Sequence, residues 1–183
     1  MDDCHGGGGQ TGTDTRQGWL LRVACDSDAD ACARLAVVAW QRVHDAFATI
    51  LGPELHESAF HGWQDAKATA VCTAIRDRPT QALVATVDGR VVGFVTFDCD
   101  TARKIGAILN NAVDPAWQGR GIATAMYRAA LERMRAAGMR VACVTTGLDD
   151  GHAPARIAYE RVGFHCGLPN VTYYQELGST QSA

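Results

Sequence analysis

The stretch from position 105 to position 145 constrains this chain more than any other. Ile105 to Val113 (IGAILNNAV) is a β-rich apolar run stopped by Asp114-Pro115. Ile122, Met126, Ala130, Met134 and Ala137 then recur at helical spacing, and Gly138 is placed to end the helix as its C′ residue. Val141 to Thr145 (VACVT) is short, continuous and apolar, the pattern of a strand buried on both faces. Strand, helix and strand in that order need a crossover, so the two strands are expected to run parallel.

The flanking sequence adds antiparallel strands and more helices. Trp19 to Ala24 reads as a first strand, and Asp26, Ser27 and Asp28 are N-cap candidates. Ala31, Leu35, Val38 and Val43, with Ala39 and Trp40 nearby, predict a helix over 28–44. Gly52-Pro53 breaks the chain, and a less regular helix weakened by Gly62 is expected over 56–77. Ala82–Val87 and Val91–Phe97 are joined by Asp88-Gly89, a hairpin signal because both turn positions want positive φ. Thr101 to Lys104 form a polar break. Pro154 leads into a helix over Ala155–Val162, stopped by Gly163. Asn170 to Leu177 (NVTYYQEL) predicts a final strand with Tyr173 and Tyr174 on opposite faces. The sum is an α/β fold with a mixed sheet.

Length and charge narrow the class. The 183 residues suit one domain, expected over 19–177, after a Gly- and Thr-rich flexible leader over 1–18 and before a flexible tail over 178–183. A net charge of −3 without a basic tract gives no electrostatic case for nucleic acid or an anionic membrane. The seven cysteines form no CxxC pair, so neither a zinc site nor a disulfide framework is expected, and a reducing cytoplasm is the expected compartment. No run of about 18 apolar residues marks a membrane span.

The chemistry concentrates at Gln118 to Ala123 (QGRGIA), between the strand and the helix. The first turn of a helix leaves N–H groups without partners, and the macrodipole adds partial positive charge. Glycines there let an anion reach the backbone, although a plain strand-to-helix turn wants the same residues. A Walker loop is excluded because no GxxxxGK precedes Ser or Thr. A dinucleotide fingerprint, and with it a nicotinamide oxidoreductase, is disfavoured by Thr124 in the third glycine position.

A third pattern fits. Gln118-x-x-Gly121-x-Ala123 resembles the pyrophosphate signature Q/R-x-x-G-x-G/A of the GCN5-related N-acetyltransferase (GNAT) family. Arg156 to Phe164 (RIAYERVGF) resembles that family's FYExxGF region, with Tyr159 at its tyrosine. The element order from Leu20 to Leu177 also matches. The resemblance implies a mixed, mostly antiparallel central sheet with a parallel splayed strand pair, flanked by helices. It implies acetyl-CoA as co-substrate, no metal, and direct acetyl transfer to an amine acceptor. The amides of Gly119, Arg120, Gly121, Ile122 and Ala123, beside Gln118, would hold the pyrophosphate. Ala112 and Val113 would pair with the pantetheine arm and polarise the thioester carbonyl. Tyr159 would protonate the departing thiolate. His152 stands where the family often has an Asn near the coenzyme, and Arg156 opens the second motif.

Substrate-side candidates are Trp40, His44 and Asn110. Asn110 and Asn111 end the third central strand where many members carry an acid or an apolar residue, and an amide cannot serve as a base. A lysine-like amine has a pKa of about 10, so a base or water chain is expected. His44, Asp45, Glu54, His56 and His61 are candidates without diagnostic spacing. Trp40, Phe47, Phe60 and Trp63 either line a pocket or form core. Cys143 reads as a small buried strand residue rather than a nucleophile. A non-catalytic acyl-CoA sensor, a hydroxyl acceptor and a longer acyl donor are the rival readings. Small amine, antibiotic, amino acid and peptide N-terminus all stay open as acceptors, and an edge strand at 170–177 leaves a homodimer open.

Overall fold

The computed structural model describes residues 18–177, so the leader and tail expected at the two ends fall, apart from Gly18, outside the described residues. In chain order the elements are β1 (Leu20–Val23), α1 (Ala29–Leu51), α2 (Pro53–Phe60), α3 (Trp63–Asp77), β2 (Ala82–Val87), β3 (Arg90–Asp100), β4 (Ile105–Val113), α4 (Ile122–Ala136), β5 (Val141–Val144) and α5 (Ala153–Arg161). The sheet order is β1-β2-β3-β4-β5. The first three pairings are antiparallel, and β4–β5 is parallel as the crossover required. The β2–β3 hairpin turns at Asp88 and Gly89 with φ of 48° and 78°, the two positive values its dipeptide signalled. Gly138 ends α4 in a Schellman arrangement: its N–H donates to Arg135 O, and Met139 N–H donates to Met134 O.

The sheet is covered on both faces. Leu83, Ala85, Val95, Phe97 and Ile108 pack under Ile122, Met126, Ala130 and Met134 of α4. Val84, Phe94 and Ala112 pack against Ala29, Cys32, Ala36, Val71 and Ile75 on the side of α1 and α3. Alternate strand residues therefore serve two cores.

One irregularity shapes everything downstream. Val95 pairs with Asn111 and Phe97 pairs with Ile108, so two residues of β4, Leu109 and Asn110, stand opposite Thr96 alone. This β-bulge shifts the phase of β4. Ile108 and Val113 pack with the α4 core and Asn111 bonds to Tyr127 of α4, whereas Ala112 packs with the α1 core and Asn110 reaches Lys67 of α3. The buried Thr96 hydroxyl fills the break: it accepts from Asn110 N–H at 3.0 Å and donates to Asn110 O at 3.3 Å.

Several expectations are corrected. The α1 helix runs to Leu51, and its buried face uses Cys32, Ala33, Leu35, Ala36 and Val43, leaving Val38 exposed. The single helix expected over 56–77 is two, broken at Gly62, which takes a left-handed φ of 69° before α3. Residues 170–177 form no strand, so the edge expected there for pairing with a second copy is not built. With nothing among the described residues paired outside it, β5 is a sheet edge: Val141 and Cys143 are exposed rather than buried on both faces. Tyr173 and Tyr174 accordingly do not lie in the sheet.

Replacing Thr96 by Val keeps the shape and removes both bonds at the bulge. The expected result is a loss of about 1–3 kcal/mol, the cost of an unsatisfied buried polar group. A lower urea midpoint at unchanged slope checks it.

Candidate active site

The bulge is followed by a gap in the sheet. Strands β4 and β5 pair only from Ile105–Val141 to Ile108–Val144. β5 then ends, while β4 continues from Leu109 to Val113 with its outer edge open. The gap is a cleft of about 430 Å³. Its walls come from the end of β4, the turn into α4, Thr145 and Thr146 after β5, one side of α5, and Trp40 on α1.

One end of the cleft presents unpaired backbone donors. Gly119 and Gly121 have φ of 76° and 79°, and a Cβ at either would meet nothing within 4 Å. They are needed for their backbone conformation and for open space, not to relieve crowding. Gly121 is the N-cap of α4 and has no side chain to cap it. The amides of Gly119, Arg120 and Gly121 have no acceptor among the described residues. Those of Ile122 and Ala123 lie in the first turn, where a helix offers none. Gln118 braces the turn, its Nε2 donating to Val113 O at 3.2 Å. The Arg120 guanidinium lies 4.4 Å from the Trp117 ring centroid, a cation–π contact at the mouth. Thr146 Oγ1, buried in the cleft wall, has no hydrogen-bond partner. A phosphate-bearing ligand with further polar groups would satisfy all of these donors.

The other end holds a hydroxyl. Asn111 Nδ2 donates to the Tyr159 hydroxyl at 2.9 Å, and the Tyr127 hydroxyl donates to Asn111 Oδ1 at 2.7 Å. The two tyrosine rings lie 4.8 Å apart, and Phe164 meets the Tyr159 ring edge-on. Burial pushes the Tyr159 pKa above its usual value, and the hydrogen bonds from Asn111 and Tyr127 offset this only in part. Tyr159 therefore stays protonated at neutral pH. Its oxygen accepts from Asn111, and as a neutral phenol it keeps a proton that it can donate.

Between β5 and α5 the chain is tightly tied. Arg156 Nη1 donates to Gly147 O at 2.6 Å and to Asp149 O at 2.8 Å, so its guanidinium braces the loop. His152 lines the cleft, and its Nδ1 lies 2.7 Å from Asp149 Oδ2. Ala112 and Val113 line it from β4.

Trp40 lines the cleft from α1 and belongs to an aromatic cluster. Lys67 Nζ sits 3.3 Å above the Trp40 ring and donates to Asn110 Oδ1 at 3.2 Å. Burial lowers the Lys67 pKa to about 8. His44 does not line the cleft. It stacks on Trp63 at 3.8 Å, has Phe47 and Phe60 edge-on, and bonds His56 at 3.1 Å. Asn110 thus bonds Lys67 and His44 packs on Trp63, and neither lines the cleft. Sequence reasoning missed Tyr127, Lys67 and Asp149. Tyr127 carried a usable signal: a tyrosine on the core face of a helix needs a partner for its hydroxyl.

Burial, then the neighbouring His56 and Lys67 charges, lower the His44 pKa from 6.5 to about 4. The unfolded chain takes up this proton first as pH falls, so stability present above about 6.5 is lost toward about 4. In His44→Phe that acid-side loss is expected to flatten. Urea midpoints taken across this range in both proteins check it.

Comparison with known proteins agrees with this geometry. Residues 40–164 match the model described as the Acetyltransferase (GNAT) family. An L-amino acid N-acetyltransferase, AaaT of Escherichia coli, is 35% identical over 107 residues, 57% of this chain and 60% of that protein. An uncharacterized N-acetyltransferase of Methanocaldococcus jannaschii is 35% identical over 86 residues, 44% of this chain. The match spans 37% and 60% of the lengths of these two relatives. Among solved structures, PaiA N-acetyltransferase from Thermoplasma acidophilum in complex with coenzyme A superposes with a TM-score of 0.61 at 15% identity, covering 78% of this chain and 87% of that one. A ribosomal-protein-alanine N-acetyltransferase from Brucella melitensis gives 0.57 at 18% identity, covering 87% and 99%. Both share the fold. With the glycine turn, the open strand edge and the buried tyrosine all inside the matched span, the chain belongs to the GNAT acetyltransferase family.

Proposed function

We propose that the protein transfers an acetyl group from acetyl-CoA directly to a primary amine. The observation that carries this reading is the pairing of two features across one cleft: an unfilled set of backbone donors at Gly119–Gly121, and a protonated hydroxyl at Tyr159. The coenzyme A complex of the PaiA enzyme and the amino-acid substrate in the name of the Escherichia coli relative support it.

The residues divide the work. Amides of Gly119 to Ala123 receive the pyrophosphate, helped by the positive end of α4. The open edge of β4 at Ala112–Val113 takes the pantetheine as an added strand, and an N–H there stabilises negative charge developing on the thioester oxygen. Asn111 holds the Tyr159 oxygen in place, and Tyr159 delivers its proton to the leaving sulfur. Tyr127 keeps Asn111 from rotating. The acceptor enters past Trp40. Among the described residues no group of His, Cys, Asp and Glu side chains could hold a metal ion, and the reaction as written uses none.

Two measurements test the reading. Excess acetyl-CoA, at about a hundred times its dissociation constant, is expected to stabilise the protein by roughly 2.7 kcal/mol in thermal melts, with NADH and ATP giving no comparable rise. Tyr159→Phe is expected to lower kcat by about 10²-fold or more with little change in KM for acetyl-CoA. A variant that loses coenzyme affinity instead would assign Tyr159 to binding.

A further inference from the structure

An amine acceptor must lose a proton before it attacks, and the groups described above do not take it. Tyr159 is held protonated, and His44 is packed under Trp63. We infer that His152, oriented by Asp149, is the general base that deprotonates the acceptor. The inference rests on the acetyl-transfer reading and names the base that reading requires.

The pair is built rather than incidental. Asp149 accepts from the His152 backbone N–H at 3.2 Å as well as facing its Nδ1. Its side chain is only 7% exposed and that of His152 14%, so water does not compete freely for the bond. Burial pushes the Asp149 pKa up, but the hydrogen bonds from His152 outweigh this and keep it below the usual value. An ionised carboxylate on Nδ1 fixes the tautomer with its lone pair on Nε2. Nε2 has no hydrogen-bond partner among the described residues, and His152 lines the cleft.

The surroundings leave the pair little room to move. A Cβ at Gly147 would collide with Asp149 Oδ2 and His152 Nδ1. One at Gly151 would lie 2.8 Å from both Asp149 Oδ1 and the Val43 backbone of α1. Trp40 meets the imidazole edge-on at 5.8 Å, and Phe47 lies 6.0 Å away. The charged groups packed around it are already engaged. Arg42 of α1 donates to Asp150 O, and Arg156 of α5 is committed to the loop carbonyls. Lys67 is held over the Trp40 ring, and His44 is stacked on Trp63.

The step balances. Nε2 takes one proton from R–NH3⁺, giving R–NH2 and imidazolium. The amine nitrogen bonds to the thioester carbonyl carbon, and the C–S bond breaks. Tyr159 gives its proton to sulfur and regains one from the acylated nitrogen. Imidazolium returns its proton to water, so the products are the amide, the thiol and one H⁺.

The test uses the full chain and a panel of L-amino acids, alkyl diamines, aminoglycosides and peptide N-termini. His152→Asn is the informative change, because the amide keeps a polar side chain there and cannot accept a proton. With whichever primary amine is acetylated, kcat/KM at neutral pH is expected to fall about 10²-fold or more, with KM for acetyl-CoA unchanged. The wild-type rate should level off with rising pH. The variant should keep gaining tenfold per pH unit toward the amine's own pKa near about 10. A variant that keeps its rate, loses it equally at all pH values, or loses acetyl-CoA affinity in proportion overturns the proposal and leaves the transferase reading standing. Wild-type protein that acetylates nothing in the panel removes both.

Discussion

The hydrogen bonds between the Thr96 hydroxyl and the Asn110 backbone hold the structure's decisive irregularity. A bulge needs its extra N–H and C=O satisfied if it is to persist inside a sheet. Thr96 satisfies both from the neighbouring strand, and β4 can then diverge from β5 without unpaired groups in the core. The cleft, the open edge at Ala112–Val113 and the placement of Asn111 beside Tyr159 all follow. An unbroken β4 would have put Asn111 on the α1 side and aimed Asn110 at the tyrosines.

From that gap the site is assembled out of two opposite strategies. At the α4 end, donors are left unfilled: glycines with left-handed φ expose amides, and no side chain caps the helix. At the α5 end, partners are saturated: Tyr127, Asn111 and Tyr159 form one chain, and Arg156, Asp149 and His152 tie down the adjoining loop. Unfilled donors suit a ligand that brings its own charge. Saturated ones suit side chains that must hold a protonation state and an orientation at the moment of reaction.

Much of this was legible in the chain. Periodicity located the strand–helix–strand unit around β4, α4 and β5, because one buried face imposes a helical or two-residue repeat whatever the partner is. Asp88-Gly89 and Gly138 announced their turns because positive φ leaves few residue choices. The glycine turn and Tyr159 could be named by motif. Where periodicity failed, the competing force was tertiary. VACVT reads as fully buried, yet β5 is an edge because residues 170–177 do not pair with it. The aromatic spacing of Trp40, Phe47 and Trp63 did not say which of them would face the cleft.

By itself the sequence determined the element order, the parallel crossover and the glycine turn at Gly121, since these rest on local backbone preference and hydrophobic repeat, while Tyr159 was marked by its motif alone. The tertiary structure alone decided which of Asn110 and Asn111 meets the tyrosine, that His44 is buried against Trp63, and that Asp149 stands against His152 of the cleft wall. A one-residue bulge reverses which face a side chain takes, and a loop's shape depends on what packs behind it. Neither leaves a mark in the spacing of residues along the chain.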